Sequence, residues 1–345
     1  MSGRRHLWPD LAKGLCILLV VYGHAVVGVH VDQPIESELH DLLLKPFSQF
    51  RMPLFFFVSG LFAAVAARRE WPAFVERTLL QLVWIFVLWN VLQYAARMAF
   101  AAWANTPIDP LQIVRFPIDP INVTWFIWAL ILYNLAARFM RGRRLWLLLV
   151  ISLGLTIQPL EGLSYAATQS SRFLFFFVLG LVLSEPLLAR PLKVAGRSVA
   201  LLLPAYLLTA AWFSHTGLED HPALALMLRL FGVISALATC IWAANAGRLS
   251  WLVRLGRHTL PIFVTHTIVT AGVREGLLRT GLADNALILV VTAWTAGIVL
   301  PLLFHGVMMR IGIRWLFDRP AWFHLRLRER VAQGLPTALP PSLAP

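Results

Sequence analysis

Charged side chains are scarce in this sequence. Asp, Glu, Lys and Arg make up 14% of its 345 residues, whereas 59% are hydrophobic; an ordinary soluble domain carries about 25% charge. With a mean hydropathy of +0.71, this excludes a soluble globular enzyme and a disordered chain alike. Cysteine is nearly absent: only Cys16 and Cys240 occur, both inside apolar runs. That excludes a disulfide framework and leaves packing as their expected role. Sustained two-residue alternation is lacking, which argues against a membrane β-barrel. Acidic residues are few as well, 17 against 30 Lys and Arg, a formal charge of +13.

What remains is apolar runs of membrane-spanning length separated by short charged connections. The expected fold is all-α, a polytopic membrane helix bundle of about ten transmembrane helices at residues 9–29, 48–67, 77–103, 121–139, 145–160, 169–186, 198–214, 222–246, 258–274 and 285–310. Arg4 and Arg5 precede the first run as in a signal peptide. The run is long and the rest of the chain continues in the same style, so it reads as an uncleaved first helix.

A basic excess can serve nucleic acid, anionic lipid, a polyanionic cofactor or topology. Its distribution decides here. Connections after every second span hold Arg68/Arg69, Arg141/Arg143/Arg144, Arg190/Lys193/Arg197 and Arg248/Arg254/Arg257, while the opposite connections are rich in Asp and Glu. The positive-inside rule then places both termini in the cytoplasm, and no nucleic-acid partner is implied. Residues 1–318 form the expected membrane domain. Residues 319–345 form a cytoplasmic tail, an amphipathic stretch "PAWFHLRLRERVA" followed by a disordered Pro-rich end. One internal echo stands out: "FRMPLFFFVSG" (50–60) and "SRFLFFFVLG" (171–180) share Arg, three Phe, Val and Gly. It is either a duplicated architecture, as in transporters, or a chance match of apolar low complexity.

The first run, "DLAKGLCILLVVYGH" (10–24), has ionisable groups at both ends. Eleven steps from Lys13 to His24 amount to about 20° beyond three helical turns and about 16 Å of rise, so both share a face. Asp10 lies near the same stripe, where it could cap the first turn. His24 is then expected near the middle of a hydrocarbon layer about 30 Å thick, where ionisable groups face a bundle interior or a water-filled cavity. A neutral imidazole there can act as a general base; the alternative is a histidine satisfied by helix-helix hydrogen bonding. Cys16, eight residues away, is about 12 Å distant and out of reach as a nucleophile. Ser59 reads as a packing residue.

These features resemble the membrane-bound acyltransferase-3 family of bacterial O-acyltransferases, in particular its fucose 4-O-acetylase-like branch. The family opens with a basic residue, ten residues and a histidine on its first helix, matched here by Lys13 and His24, with Lys where many relatives have Arg. "FRMPLFFFVSGLF", "TWFIWALILYN" and "LGRHTLPIFVTH", the last ending in His266, are similar to three later family segments. Two departures stand out: Arg51 occupies a position where this branch often has His, and Trp125–Asn134 lacks the Glu that other branches carry.

The resemblance implies transfer of an acetyl group from acetyl-CoA, as donor substrate, to a hydroxyl of a glycan or lipid-linked sugar, in the bacterial inner membrane and without a metal. On that reading Lys13, Asp10, Arg68, Arg69, Arg77 and Arg141 form the cofactor-binding rim for the multiply phosphorylated CoA. His24 is the base, with His266, Arg51 or Arg172 as donor to the oxyanion. His266 lies eight residues, about 12 Å, inward of His258, and Pro261 between them is expected to distort the helix. Trp125, Trp128, Asn122 and Thr124 would meet the sugar; for the two tryptophans an interfacial belt is the competing role. Arg51 and Arg172 would join the acceptor site or snorkel outward. A proton-coupled transporter or flippase of a sugar or lipid-linked sugar, and an inactive structural relative, are the rival functions. The oligomeric state is not legible, since apolar outer faces meet lipid in any case.

Overall fold

The computed structural model describes residues 6–101, 109–140, 142–282 and 285–325, and every structural statement below concerns these. Arg4, Arg5, Arg141, Asp284 and the Pro-rich end fall outside them. The described chain is all-helical, with no strand. Ten helices occupy the ten expected regions: α1 (Trp8–Asp32), α2 (Ser37–Ala67), then α3 (Trp71–Phe74) running through a π-helical turn, Val75–Leu79, into α4 (Leu80–Ala99), followed by α6 (Trp125–Phe139), α7 (Leu145–Ile157), α8 (Tyr165–Leu188), α9 (Gly196–Thr216), α10 (Pro222–Asn245), α12 (Thr259–Thr280) and α13 (Ala286–Arg310). Short α5 (Gln112–Arg115) and α11 (Ser250–Arg257) complete the set.

Seven of these elements are long and apolar enough to cross a membrane: α1, α2, the α3–α4 unit, α8, α9, α10 and α13. Helices α6 and α7 have 15 and 13 residues, about 20 Å of rise against a layer of about 30 Å. Helix α12 is long enough at 22 residues but carries His266, Arg274, Glu275 and Arg279. Helix α2 begins eleven residues before its expected span. The turns holding Glu38, His40, Asp41 and Lys45 are helical too, and Lys45 is tied to Asp41 at 2.9 Å and to Glu219 at 2.8 Å.

Helix α1 is the axis of the bundle, packing against α2, α10, α11, α12 and α13. Its partner on one side is the α11–α12 pair, running parallel at a constant register: 256 − 14, 266 − 24 and 274 − 32 all equal 242. At the first level Gly14 meets Gly256; a Cβ on Gly14 would lie 2.0 Å from the Leu252 carbonyl oxygen, and one on Gly256 would lie 1.7 Å from that of Asp10. At the second, His24 meets His266. At the third, Asp32 binds Arg274, Nε to Oδ2 at 2.6 Å. Small residues let the backbones touch, and polar pairs hold the rest.

The internal echo forms the other tight contact. A Cβ at Gly60 would stand 2.0 Å from the Phe177 carbonyl oxygen and 3.0 Å from the Leu181 nitrogen; one at Gly180 would stand 2.0 Å from the Phe57 carbonyl oxygen. Each glycine thus sits opposite the residue three before the other, a pseudo-symmetric parallel crossing. Ser59 bonds back to Phe55 O on its own helix, consistent with a packing role, and both cysteines are buried and free.

After α13 the chain folds back along α4. Trp84 Nε1 donates to Trp315 O and Trp89 Nε1 to Leu316 O, both at 2.8 Å. Arg319 is buried and pairs with Glu76 of the π turn at 2.7 Å, joined there by His324. Residues 319–325, the described part of the expected tail, are thereby docked.

Candidate functional site

His24 lies four residues past the middle of α1, about 6 Å beyond it, and its side chain is exposed although Gly23 and Ala25 on either side are buried. The His266 ring packs against it, centroids 5.1 Å apart and planes 59° apart. His266 is fully buried. Its Nδ1 lies 3.0 Å from Ile262 O and 2.8 Å from Phe263 O. Carbonyl oxygens only accept, so Nδ1 carries the hydrogen and a neutral His266 leaves Nε2 as a lone pair. That Nε2 is buried with no partner among the described residues. In this tautomer His266 accepts a hydrogen bond and cannot donate one to an oxyanion, a chemical correction to the expected role.

Arg51 brings a donor group to the same place. Its guanidinium lies against Gly23, where a Cβ would fall 1.8 Å from Nη1; only glycine beside His24 admits it. Its one described hydrogen bond, Nη1 to Leu19 O, is long at 3.4 Å, so donors remain for a ligand. Pro261 does not distort α12. It stands in the first helical turn, where a missing N–H and a fixed φ are tolerated.

The stripe below His24 differs from the expected cap. Asp10 does not cap α1, whose N-cap residue is Leu7. It is buried instead and binds two cations, Lys13 at 2.9 Å and Arg257 of α11 at 3.5 Å. Lys13 remains partly accessible and leans over the Phe62 ring at 5.1 Å, which puts the C-terminal end of α2 at the same end of the bundle. Arg77 is exposed on the π turn, Arg69 bonds to Thr78 at 3.2 Å, and Arg68 forms a solvent-exposed pair with Glu185 at 3.5 Å, worth little to stability. Arg141 lies outside the described residues.

At the other end, two expected sugar contacts are overturned. Trp125 is buried, stacked against Phe173 (6.1 Å) and near Phe56 (5.9 Å), so its face is not free for a ring. Thr124 is buried and its hydroxyl donates to Asn90 Oδ1 at 2.8 Å. Asn122 is exposed and holds a left-handed φ of +52°, a conformation that side chains other than Gly and Asn seldom adopt. Trp128 is half-buried and donates to Pro117 O at 2.9 Å. Arg172 reaches only a mostly exposed Glu161, at 3.9 Å.

Several residues around the site were not singled out from sequence. Trp294 of α13 donates to Leu18 O at 3.0 Å and packs edge-on against Tyr22 at 5.2 Å. Gln93 of α4 donates to Val264 O at 2.8 Å, fixing the turn that bears His266, and Asn90 accepts from Ile121 N at 2.9 Å. Arg229 bonds Gln49 at 3.3 Å. The signal for Asp32 and Arg274 was present: each follows one of the histidines by eight residues.

Comparison with known proteins gives the family. The acyltransferase-3 family profile, described as an acyltransferase domain, matches residues 6–310. The chain is 24% identical over 192 residues to "Nodulation protein NolL" of Mesorhizobium japonicum, covering 54% of this chain and 50% of that one. It is 24% identical over 194 residues to the Sinorhizobium fredii protein of the same name, covering 53% and 50%. It is also 31% identical over 97 residues to "Inner membrane protein YcfT" of Escherichia coli, covering 25% and 26%. The chain spans about half the length of the nodulation relatives it matches, and no solved structure matches it. With seven apolar helices of spanning length and a profile match that starts before Lys13 and runs past His266, this multi-pass membrane protein belongs to the acyltransferase-3 family.

Proposed function

We propose that the protein transfers an acetyl group from cytoplasmic acetyl-CoA to a hydroxyl of a cell-surface glycan or lipid-linked sugar, as the fucose 4-O-acetylase-like branch would, in a bacterial inner membrane with both termini inside and α6, α7 and α12 completing ten spans. The observation that carries this reading is the exposed His24 on the central helix, set against a buried His266 whose Nε2 is an open acceptor. Asp10 holds Lys13 and Arg257 as a pair of cations at the donor end, suited to CoA phosphates as point and forked donors.

The chemistry balances with these residues alone. His24 takes the proton of the acceptor hydroxyl as its oxygen attacks the thioester carbonyl. Arg51 donates to the oxyanion. Collapse breaks the C–S bond, and the proton on His24 passes to the departing CoA thiolate. The unpartnered Nε2 of His266 is the acceptor available to an N–H of His24 as the imidazolium forms, a support of the kind that a carboxylate gives in a serine triad. The departure from the family pattern at Arg51 thus replaces an imidazole with a permanent cation.

Purified protein incubated with labelled acetyl-CoA and a membrane glycan extract is expected to place label on glycan; a carrier would leave acetyl-CoA unconsumed, and so would an inactive structural relative. Lys13→Ala, leaving Asp10 with Arg257, is expected to raise the KM for acetyl-CoA about tenfold with a smaller change in kcat, because it removes binding shared by ground and transition states. An unchanged dependence on acetyl-CoA concentration removes Lys13 from the donor site.

A further inference from the structure

A cavity of about 660 Å³ opens beside α1 and continues into a second of about 430 Å³, the two sharing Thr295 and Val299 of α13. Together they form one trough. From His305 at one end to Val291 at the other is 14 positions, about 21 Å of helix, enough to cover one monolayer's hydrocarbon depth of about 15 Å. Its walls are apolar, Leu18, Ile298 and Leu302 among them, and the α13 face around it exposes Val299, Leu300 and Leu303.

Its rim at the Lys13 end is different. Helix α11, packed along α1, buries Leu252, Val253, Leu255 and Gly256 and exposes Trp251, Arg254 and Arg257, which sets a tryptophan and two arginines at headgroup level. Arg254 lines the trough, and its guanidinium has no hydrogen-bond or ion-pair partner among the described residues. His258 and His305 flank it with rings 5.7 Å apart, and His258 Nδ1 donates to Arg254 O at 2.9 Å.

We infer that the trough binds an anionic phospholipid of the leaflet at the Lys13 end, headgroup phosphate on Arg254 and His305 and one acyl chain along α13. Charge complementarity at the rim and the length of the apolar wall select this occupant over a zwitterionic lipid or a headgroup alone. CoA fits less well, since its adenine and ribose would lie against Leu18, Ile298 and Leu302. Trp294 forms part of the wall while holding Leu18 and Tyr22, so the lipid buttresses the helix that carries His24.

The test is native mass spectrometry of the full chain, stripped of lipid in detergent and titrated with dioleoyl phosphatidylglycerol or dioleoyl phosphatidylcholine. One phosphatidylglycerol is expected to be retained at least tenfold more tightly than phosphatidylcholine. Arg254→Gln is expected to abolish that preference. Val299→Trp, which fills the trough, is expected to lower retention of both lipids without lowering the melting temperature. Equal retention of the two lipids, an unaltered preference in Arg254→Gln, displacement by glycerol phosphate, or one-for-one displacement by acetyl-CoA would each overturn the assignment. Because the readout is lipid retention, its failure is separate from failure of the acetyl-transfer reading.

Discussion

His24→Ala is expected to lower acetyl transfer by about 10²–10⁴, the range of a positioned general base, with the melting temperature nearly unchanged. The chemical loss is large because no other imidazole lies on the accessible face: His266 is buried behind it. The structural loss is small because His24 makes no hydrogen bond or ion pair among the described residues and alanine is the best helix former. The replacement also leaves Arg51 and Gly23 in place, so the proposed oxyanion donor survives. Transfer rate and thermal melting measured on the same preparation separate the two effects. A folded His24→Ala protein that transfers at the wild-type rate would remove His24 from the chemistry.

Gly180→Leu is expected to fail at the level of the fold. A Cβ there would stand 2.0 Å from the Phe57 carbonyl oxygen, and backbone cannot rotate away as a side-chain tip can. The helices must separate, which also opens the reciprocal contact at Gly60. Overpacking of a well-fitted interior costs about 1–3 kcal/mol and occasionally more; a clash with main chain on both sides of the bundle's second tight crossing belongs at the upper end or beyond. Loss of monodisperse protein on size-exclusion chromatography is the readout. Gly154→Leu in α7 is the control, because nothing lies within 4 Å of a Cβ at that position. If both variants purify equally, the α2–α8 crossing does not hold the bundle together.

The line from Lys13 to His24 was legible because helical period and rise follow from spacing alone, and so was the step of about 12 Å that sets His266 inward of His258. The echo at Gly60 and Gly180 was visible as a pattern, but its use as a self-complementary crossing was not, since a sequence does not say which helix packs on which. Asp10 was misassigned for the same reason: the cation that competes for it, Arg257, is 247 residues away. Trp125 and Thr124 were misplaced because composition cannot tell which face of α6 meets Phe173, nor that the turn before it meets Asn90. Neither could hydropathy show that Glu76, a lone acid in a π turn, would be neutralised by Arg319 from a segment expected to lie apart.

Mass spectrometry of surface glycans from cells with the wild-type protein, with no protein and with His24→Ala tests the central claim most directly. Acetyl transfer at His24 predicts an acetyl mass on a defined sugar in the first sample alone. An identical acetylation pattern in all three would contradict it.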